Sequence, residues 1–125
     1  MQNTISRAEV IEWMEKLKTG WLDKKKEDVL KLFEKTKSYY ERPFKPATTI
    51  EEIAEYWKDI DDVDDCTLDY DIVAIDGNTV CVHWDYKYTI KHKSNHLDGM
   101  YVIIFSEQKE CIEFRQWWFK EDRGQ

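Results

Sequence analysis

The spacing of apolar residues changes along this chain. Before about residue 60 they recur at intervals of three and four, and after Thr67 they alternate with polar residues. The first pattern predicts helices and the second predicts strands. Ser6-Arg7-Ala8-Glu9 fits a capping box, in which the serine oxygen accepts an early backbone N–H and the glutamate reaches back. Val10, Met14 and Leu17 follow at helical spacing, with Ile11 and Trp13 widening the stripe. Gly20 is the natural stop, with Trp21 and Leu22 at the corner. Asp23 is placed to cap a second helix whose inner face is Val29, Leu30, Leu32 and Phe33.

Residues 38–42 read as a short aromatic strand, and Pro43 and Pro46 impose a loop, because proline fixes φ and donates no hydrogen bond. Thr49-Ile50-Glu51-Glu52 is a second capping box. It opens a third helix over about residues 50–59, carrying Ile50, Ile53, Ala54 and Trp57, with Ile60 continuing the repeat.

Four long strands follow. In residues 67–75, Leu68, Tyr70, Ile72 and Ala74 share one face and Asp69 and Asp71 the other. Asp76-Gly77 signals a hairpin, since such turns need positive φ. In residues 80–90, Val80, Val82, Trp84, Tyr86, Tyr88 and Ile90 form one face, and Cys81, His83, Asp85, Lys87 and Thr89 the other. Lys93-Ser94-Asn95 reads as the next turn. Residues 97–105 are apolar on both faces after Asp98, as a central strand requires. A polar turn at 106–110 leads to a last strand at 111–119 and a loose tail. Helices grouped before a meander of strands predict one α+β domain over residues 1–125, with three N-terminal helices on one face of an antiparallel sheet.

Composition narrows the function. A net charge of −7 argues against nonspecific nucleic-acid binding, which needs a basic footprint. The low mean hydropathy of −0.75 reflects 36% charged residues, not a lack of core formers. Cys66, Cys81 and Cys111 are odd in number and show no CxxC spacing, so they read as buried reduced thiols. No signal peptide opens the chain and no apolar run has transmembrane length, so a soluble cytoplasmic protein without membrane association is the default. The acidic stretch 59–65 misses the calcium-loop pattern, because Val63 falls on a ligand position and Asp64 replaces the glycine. No metal is expected.

Candidate chemistry is sparse. Asp98 and His96, at the start of a strand, are weak candidates for a base, with turn capping the plainer role for Asp98. His83 and Asp85 fall on the polar face of their strand and read as surface or interface groups. Glu113 and Arg115 share a strand face and suit an ion pair, with anion binding by Arg115 as the alternative. Six tryptophans exceed what packing needs, and some can line a pocket.

The order of elements resembles the nuclear transport factor 2-like superfamily, in its SnoaL-like branch. The resemblance rests on Tyr39, Tyr40, Pro43 and Phe44 ahead of the third helix, and on Ile53, Tyr56 and Trp57 within it. Leu97-Asp98-Gly99 and Glu113-Phe114-Arg115-Gln116-Trp117-Trp118 complete it. It implies a cone-like, cystatin-type roll in which a curved sheet wraps the helices around a pocket. It also implies homodimers through the outer sheet face. The pocket is then expected to draw on Trp21, Phe33, Tyr40, Phe44, Trp57, Trp84, Tyr86, Tyr101, Phe114 and Trp118. Members include isomerases, epoxide hydrolases, dehydratases, cyclases and proteins that only bind. Three functions stay open: binding of a small apolar or flat molecule, cofactor-free acid–base catalysis, or a non-catalytic dimerisation role.

Overall fold

A computed structural model describes residues 4–42 and 44–121. Pro43 and the end of the tail lie outside the described residues. Helices α1 (Arg7–Leu22), α2 (Lys26–Leu32) and α3 (Ile50–Tyr56) cover one face of a five-stranded sheet. The strands are β1 (Ser38–Tyr40), β2 (Asp65–Asp76), β3 (Thr79–Ile90), β4 (Lys93–Phe105) and β5 (Cys111–Lys120). A 3-10 turn, Lys58–Asp62, extends α3 toward β2. Strand order is β1-β5-β4-β3-β2. The meander is antiparallel, and β1 joins β5 in parallel, with Tyr39 opposite Phe114.

Both capping boxes form. Ser6 Oγ accepts from the Glu9 N–H at 3.1 Å and Glu9 Oε1 accepts from the Ser6 N–H at 2.9 Å. Thr49 Oγ1 and Glu52 repeat the exchange at the head of α3. Helix α1, however, runs through Gly20 to Leu22. A Cβ at Gly20 would lie 2.8 Å from Val29 Cγ2, so this glycine permits the close approach of α1 and α2. Packing of the two helices outweighs the ~1 kcal/mol helix cost of glycine. Asp23 ends α1 and does not cap α2, whose first residue follows Lys25 without a side-chain cap.

Two strand details also depart from the alternation. A bulge at Val73 moves the register from Ile72↔Val82 to Ala74↔Cys81. Ile75, opposite Val80, therefore takes the inner position expected of Ala74, and Ala74 is exposed. The β3–β4 turn lies at Lys91-His92, two residues before the expected site. Both have positive φ, 51° and 65°, as a tight two-residue hairpin requires. Neither residue is a turn former, so the unbroken ladder from Thr79↔Ile104 to Ile90↔Lys93 sets the turn.

The inner face of the sheet is the even face of β3 and the odd face of β4. Val80, Val82, Trp84, Tyr86, Tyr101, Ile103 and Phe105 are buried. Trp13 of α1 meets Phe33 and Phe105 edge-on at 5.7 and 5.6 Å. Gly99 is required here in a literal sense. A Cβ on it would lie 2.3 Å from Trp84 Cζ2, so the Trp84 ring lies across the bare backbone of the neighbouring strand.

Candidate functional site

Toward one end of the sheet the core opens into a cavity of about 310 Å³. Trp21, at the C-terminal end of α1, forms one side. Tyr56, Trp57, Asp59, Ile60 and Val63, from α3 and the 3-10 turn, form another. The floor is the inner face of β3, β4 and β5. Edge residues Tyr39 and Glu41 close the remaining side. The chain after β1 is tied down by a bridge in which Tyr39 and Ala47 exchange backbone hydrogen bonds of 2.9 and 2.8 Å. This fixes where Glu41 sits. A larger groove of about 620 Å³ between α1 and α2 is walled by exposed charged residues and holds no aromatic ring.

The wall of the cavity is a set of interlocked rings. Trp21 meets Trp57 edge-on at 5.1 Å and overlies Tyr86 at 4.3 Å. Its indole Nε1 donates to the Tyr86 hydroxyl at 3.0 Å. Trp84 stacks on Tyr101 at 5.3 Å, and Tyr86 on Tyr88 at 5.0 Å. Such offset and edge contacts hold the rings rigidly.

Glu41 is the polar centre of this apolar site. Gln116 Nε2 donates to Glu41 Oε1 at 2.7 Å, and the Tyr39 hydroxyl reaches the same oxygen at 3.4 Å. Among the described residues none bonds Oε2. Burial pushes the Glu41 carboxyl up from 4.5 to about 7, against the pull of the Tyr39 and Gln116 hydrogen bonds and the Arg42 charge. Desolvation disfavours the anion, so the group is poised to gain or lose a proton near neutrality. Tyr39 and Tyr101 are fully buried, and burial together with the Glu41 charge keeps both phenols protonated far above their usual range. The Tyr101 hydroxyl makes no hydrogen bond among the described residues, which leaves a neutral donor beside a titrating carboxyl.

The candidate residues named from sequence fall into three groups. Trp21, Trp57, Trp84, Tyr86, Tyr101 and Trp118 line the cavity. Phe33 and Phe114 are sealed in the core at 1% exposure, where Phe33 meets Tyr39 and Phe114 edge-on and Phe114 stacks on Tyr39. Tyr40 and Phe44 lie elsewhere. Tyr40 takes the outer side of β1 beneath the Arg115 guanidinium, 4.0 Å from its ring centre, and Phe44 is 78% exposed. Arg115 donates from Nε to Glu113 Oε2 at 2.9 Å on the outer face, forming the ion pair.

Asp98 and His96 also stand on the outer face. Asp98 pairs with His83 Nε2 at 2.9 Å, and His96 bridges Asp85 at 2.8 Å and Glu121 at 2.9 Å. Hydrogen bonds donated to Asp85 and then to Glu121 favour the protonated ring and raise the His96 pKa. Tyr88 continues the inner aromatic face of β3 expected from its alternation, whereas the polar centre, Glu41 and Gln116, and the lining rings Tyr39 and Tyr56 were not named as pocket residues from sequence. A signal existed for two. Period-two alternation from Tyr39 puts Glu41 on the inner side, and Gln116 is the polar member of the inner series Phe114, Gln116, Trp118.

The SnoaL-like domain family model matches residues 10–111. The chain belongs to the SnoaL-like family. Solved structures agree on the fold of this SnoaL-like protein. A putative isomerase from Bacillus subtilis superposes with a TM-score of 0.74 at 16% identity, covering 95% of this chain and 90% of that one. A hypothetical protein with a ketosteroid isomerase-like fold from Catenulispora acidiphila, in complex with trimethylamine, gives 0.69 at 13% identity, covering 85% and 84%. An epoxide hydrolase of the LEH-like type from M. tuberculosis gives 0.67 at 12%, covering 90% and 84%. Identities this low speak to the fold alone. No curated protein matches the chain. Among the described residues no helix is long and apolar enough to cross a membrane, and no cluster of metal-ligating side chains is present.

Proposed function

We propose that this SnoaL-like protein takes a small, flat, largely apolar molecule into the aromatic cavity, where Glu41 exchanges a proton with it. The observation that carries this reading is the Glu41 carboxyl, held through one oxygen by Gln116 at 2.7 Å, with the other oxygen bonded by none of the described residues. A general base works best when its pKa lies near the working pH, and burial supplies that condition. Tyr101 is the partner group. As a neutral phenol with an uncommitted O–H, it donates to a ligand oxygen on which negative charge develops. The chemistry is cofactor-free isomerisation, cyclisation or ring opening. The same fold carries a putative isomerase and an LEH-like epoxide hydrolase among its structural neighbours, so it accommodates chemistry of this class. The cavity volume lies at the lower end of small-molecule sites, which are ~300–1,000 Å³, and suits a ligand of one or two rings.

The same reading includes a homodimer through the outer sheet face. Trp117 and Phe119 stand there 42% and 85% exposed, beside Met100 and Asp98 of β4. Three unpaired cysteines support a reducing, cytoplasmic setting.

The test uses 5-nitrobenzisoxazole, a flat carbon acid whose ring opens when a base removes its proton. The wild-type protein should accelerate the opening, with a rate that rises with pH and levels off above about 7. Glu41→Gln should lower the rate by ~10²-fold or more. Equal rates in the two proteins, with both folded by circular dichroism, would reject Glu41 as the base.

A further inference from the structure

We infer that the molecule taken up by this cavity carries a positive charge: a small aromatic or alkyl ammonium compound, held against the tryptophan and tyrosine faces with Glu41 as its counter-ion. The inference rests on the reading of the cavity as a ligand site and names the class of ligand. Its basis is the inventory of the wall. Among the described residues the cavity is lined by four tryptophans, five tyrosines, four aliphatic residues, Gln116, Glu41 and Asp59, and by no lysine, arginine or histidine. Ring faces carry partial negative charge and attract ammonium groups, tryptophan most strongly. Lys87 and Arg115 neighbour floor residues in sequence, but strand alternation turns both outward, Arg115 onto Tyr40 and Glu113, and Arg42, whose charge reaches Glu41, is exposed and does not line the cavity.

Other ligand classes fit less well. An anion would enter a space with two carboxylates, no cationic wall residue and a chain of net charge −7. A neutral hydrocarbon would fill the space, yet would leave the open Glu41 oxygen facing apolar surface, a costly arrangement whenever that carboxyl is ionised. An ammonium group satisfies that oxygen and the rings together. The aromatic wall is also rigid before binding, through the Trp21–Tyr86 hydrogen bond and the Trp84–Tyr101 and Tyr86–Tyr88 stacks. A preformed cage loses little on binding.

Two isosteric probes decide the matter. Phenyltrimethylammonium and tert-butylbenzene have nearly the same shape and differ by one charge. Their binding to the wild-type protein is read by quenching of the tryptophans that line the cavity, with benzoate as the anionic control. The ammonium compound should bind roughly tenfold or more tightly than the hydrocarbon, and benzoate should not compete. Glu41→Gln should narrow the gap between the first two, and the wild-type comparison stands even if that variant does not fold. Equal or tighter binding of tert-butylbenzene would overturn the inference while leaving the cavity and its base in place. Failure of all three probes to bind would overturn the inference too. Turnover of the benzisoxazole in that event would show that the cavity itself admits ligands.

Discussion

Gln116 Nε2 donates a 2.7 Å hydrogen bond to Glu41 Oε1, joining two residues 75 positions apart in the chain. The bond crosses from the last long strand to the segment after the edge strand, and it orients the Glu41 carboxylate within the cavity wall. Gln116 is thereby a positioning residue. Gln116→Leu should lower the benzisoxazole rate by ~10-fold or more while leaving tert-butylbenzene affinity within about twofold, because orientation is lost and apolar wall is kept. An unchanged rate would remove Gln116 from that role.

Glu41 should make stability depend on pH. Its pKa is about 7 in the folded protein, above the ordinary 4.5. The folded state thus binds the extra proton, and rising pH weakens the fold. The favourable contribution is complete below about 4.5 and gone above about 7. Glu41→Gln removes this dependence. The variant should be the more stable protein at pH 8.5, by at most ~3 kcal/mol, and lose that advantage toward pH 5. Urea denaturation of both proteins at the two pH values measures it. A constant difference would contradict the raised pKa.

Trp84 and Gly99 form a matched pair, a large ring on a bare backbone. Gly99→Ala should destabilise by ~1–3 kcal/mol, since the new Cβ overlaps the indole. Trp84→Ala and Phe33→Ala should each cost ~3–5 kcal/mol as truncations of side chains at 2% and 1% exposure. In a double-mutant cycle, Gly99→Ala should cost less once Trp84 is alanine, with a remainder set by the Trp117 carbonyl oxygen, which the new Cβ would also meet at 2.6 Å. Additive effects would mean that the Trp117 carbonyl, not the indole, sets the cost.

His96 should titrate above its ordinary 6.5, because Asp85 and Glu121 hydrogen-bond to its ring. The stabilisation by the protonated ring is complete below 6.5 and is lost as pH rises through the raised value. Asp85→Asn should bring the imidazole pKa down. Proton NMR of the ring follows both. A His96 resonance midpoint at or below 6.5 in the wild-type protein would refute the pairing.

The outer sheet face should pair two copies of the chain. Sedimentation at micromolar concentration should show a dimer, and Trp117→Ser with Phe119→Ser should shift it to monomer without unfolding. A wild-type monomer would reject the dimer.

Much of this protein follows from local sequence. Capping boxes at Ser6 and Thr49 form as written, since their partners lie three residues away. The inner face of β3 follows from period-two alternation, which also sends His83 and Asp85 outward. Asp98 and His96 are conspicuous in sequence for their chemistry, yet their parity in β4 places them on that same outer face.

Tertiary structure decided the rest. Gly20 reads as a helix stop until Val29 is packed against it, and Lys91-His92 turns only because a twelve-pair ladder demands it. The Val73 bulge exchanges Ala74 for Ile75 in the core without any local mark. Glu41 is the clearest case. On its own it is one of 26 acidic residues. Its desolvation, its bond to Gln116 and its place beside Tyr101 arise only when β1 pairs with β5 and the loop closes through Tyr39 and Ala47. A pKa is set by surroundings, and these surroundings are assembled from segments far apart in the chain.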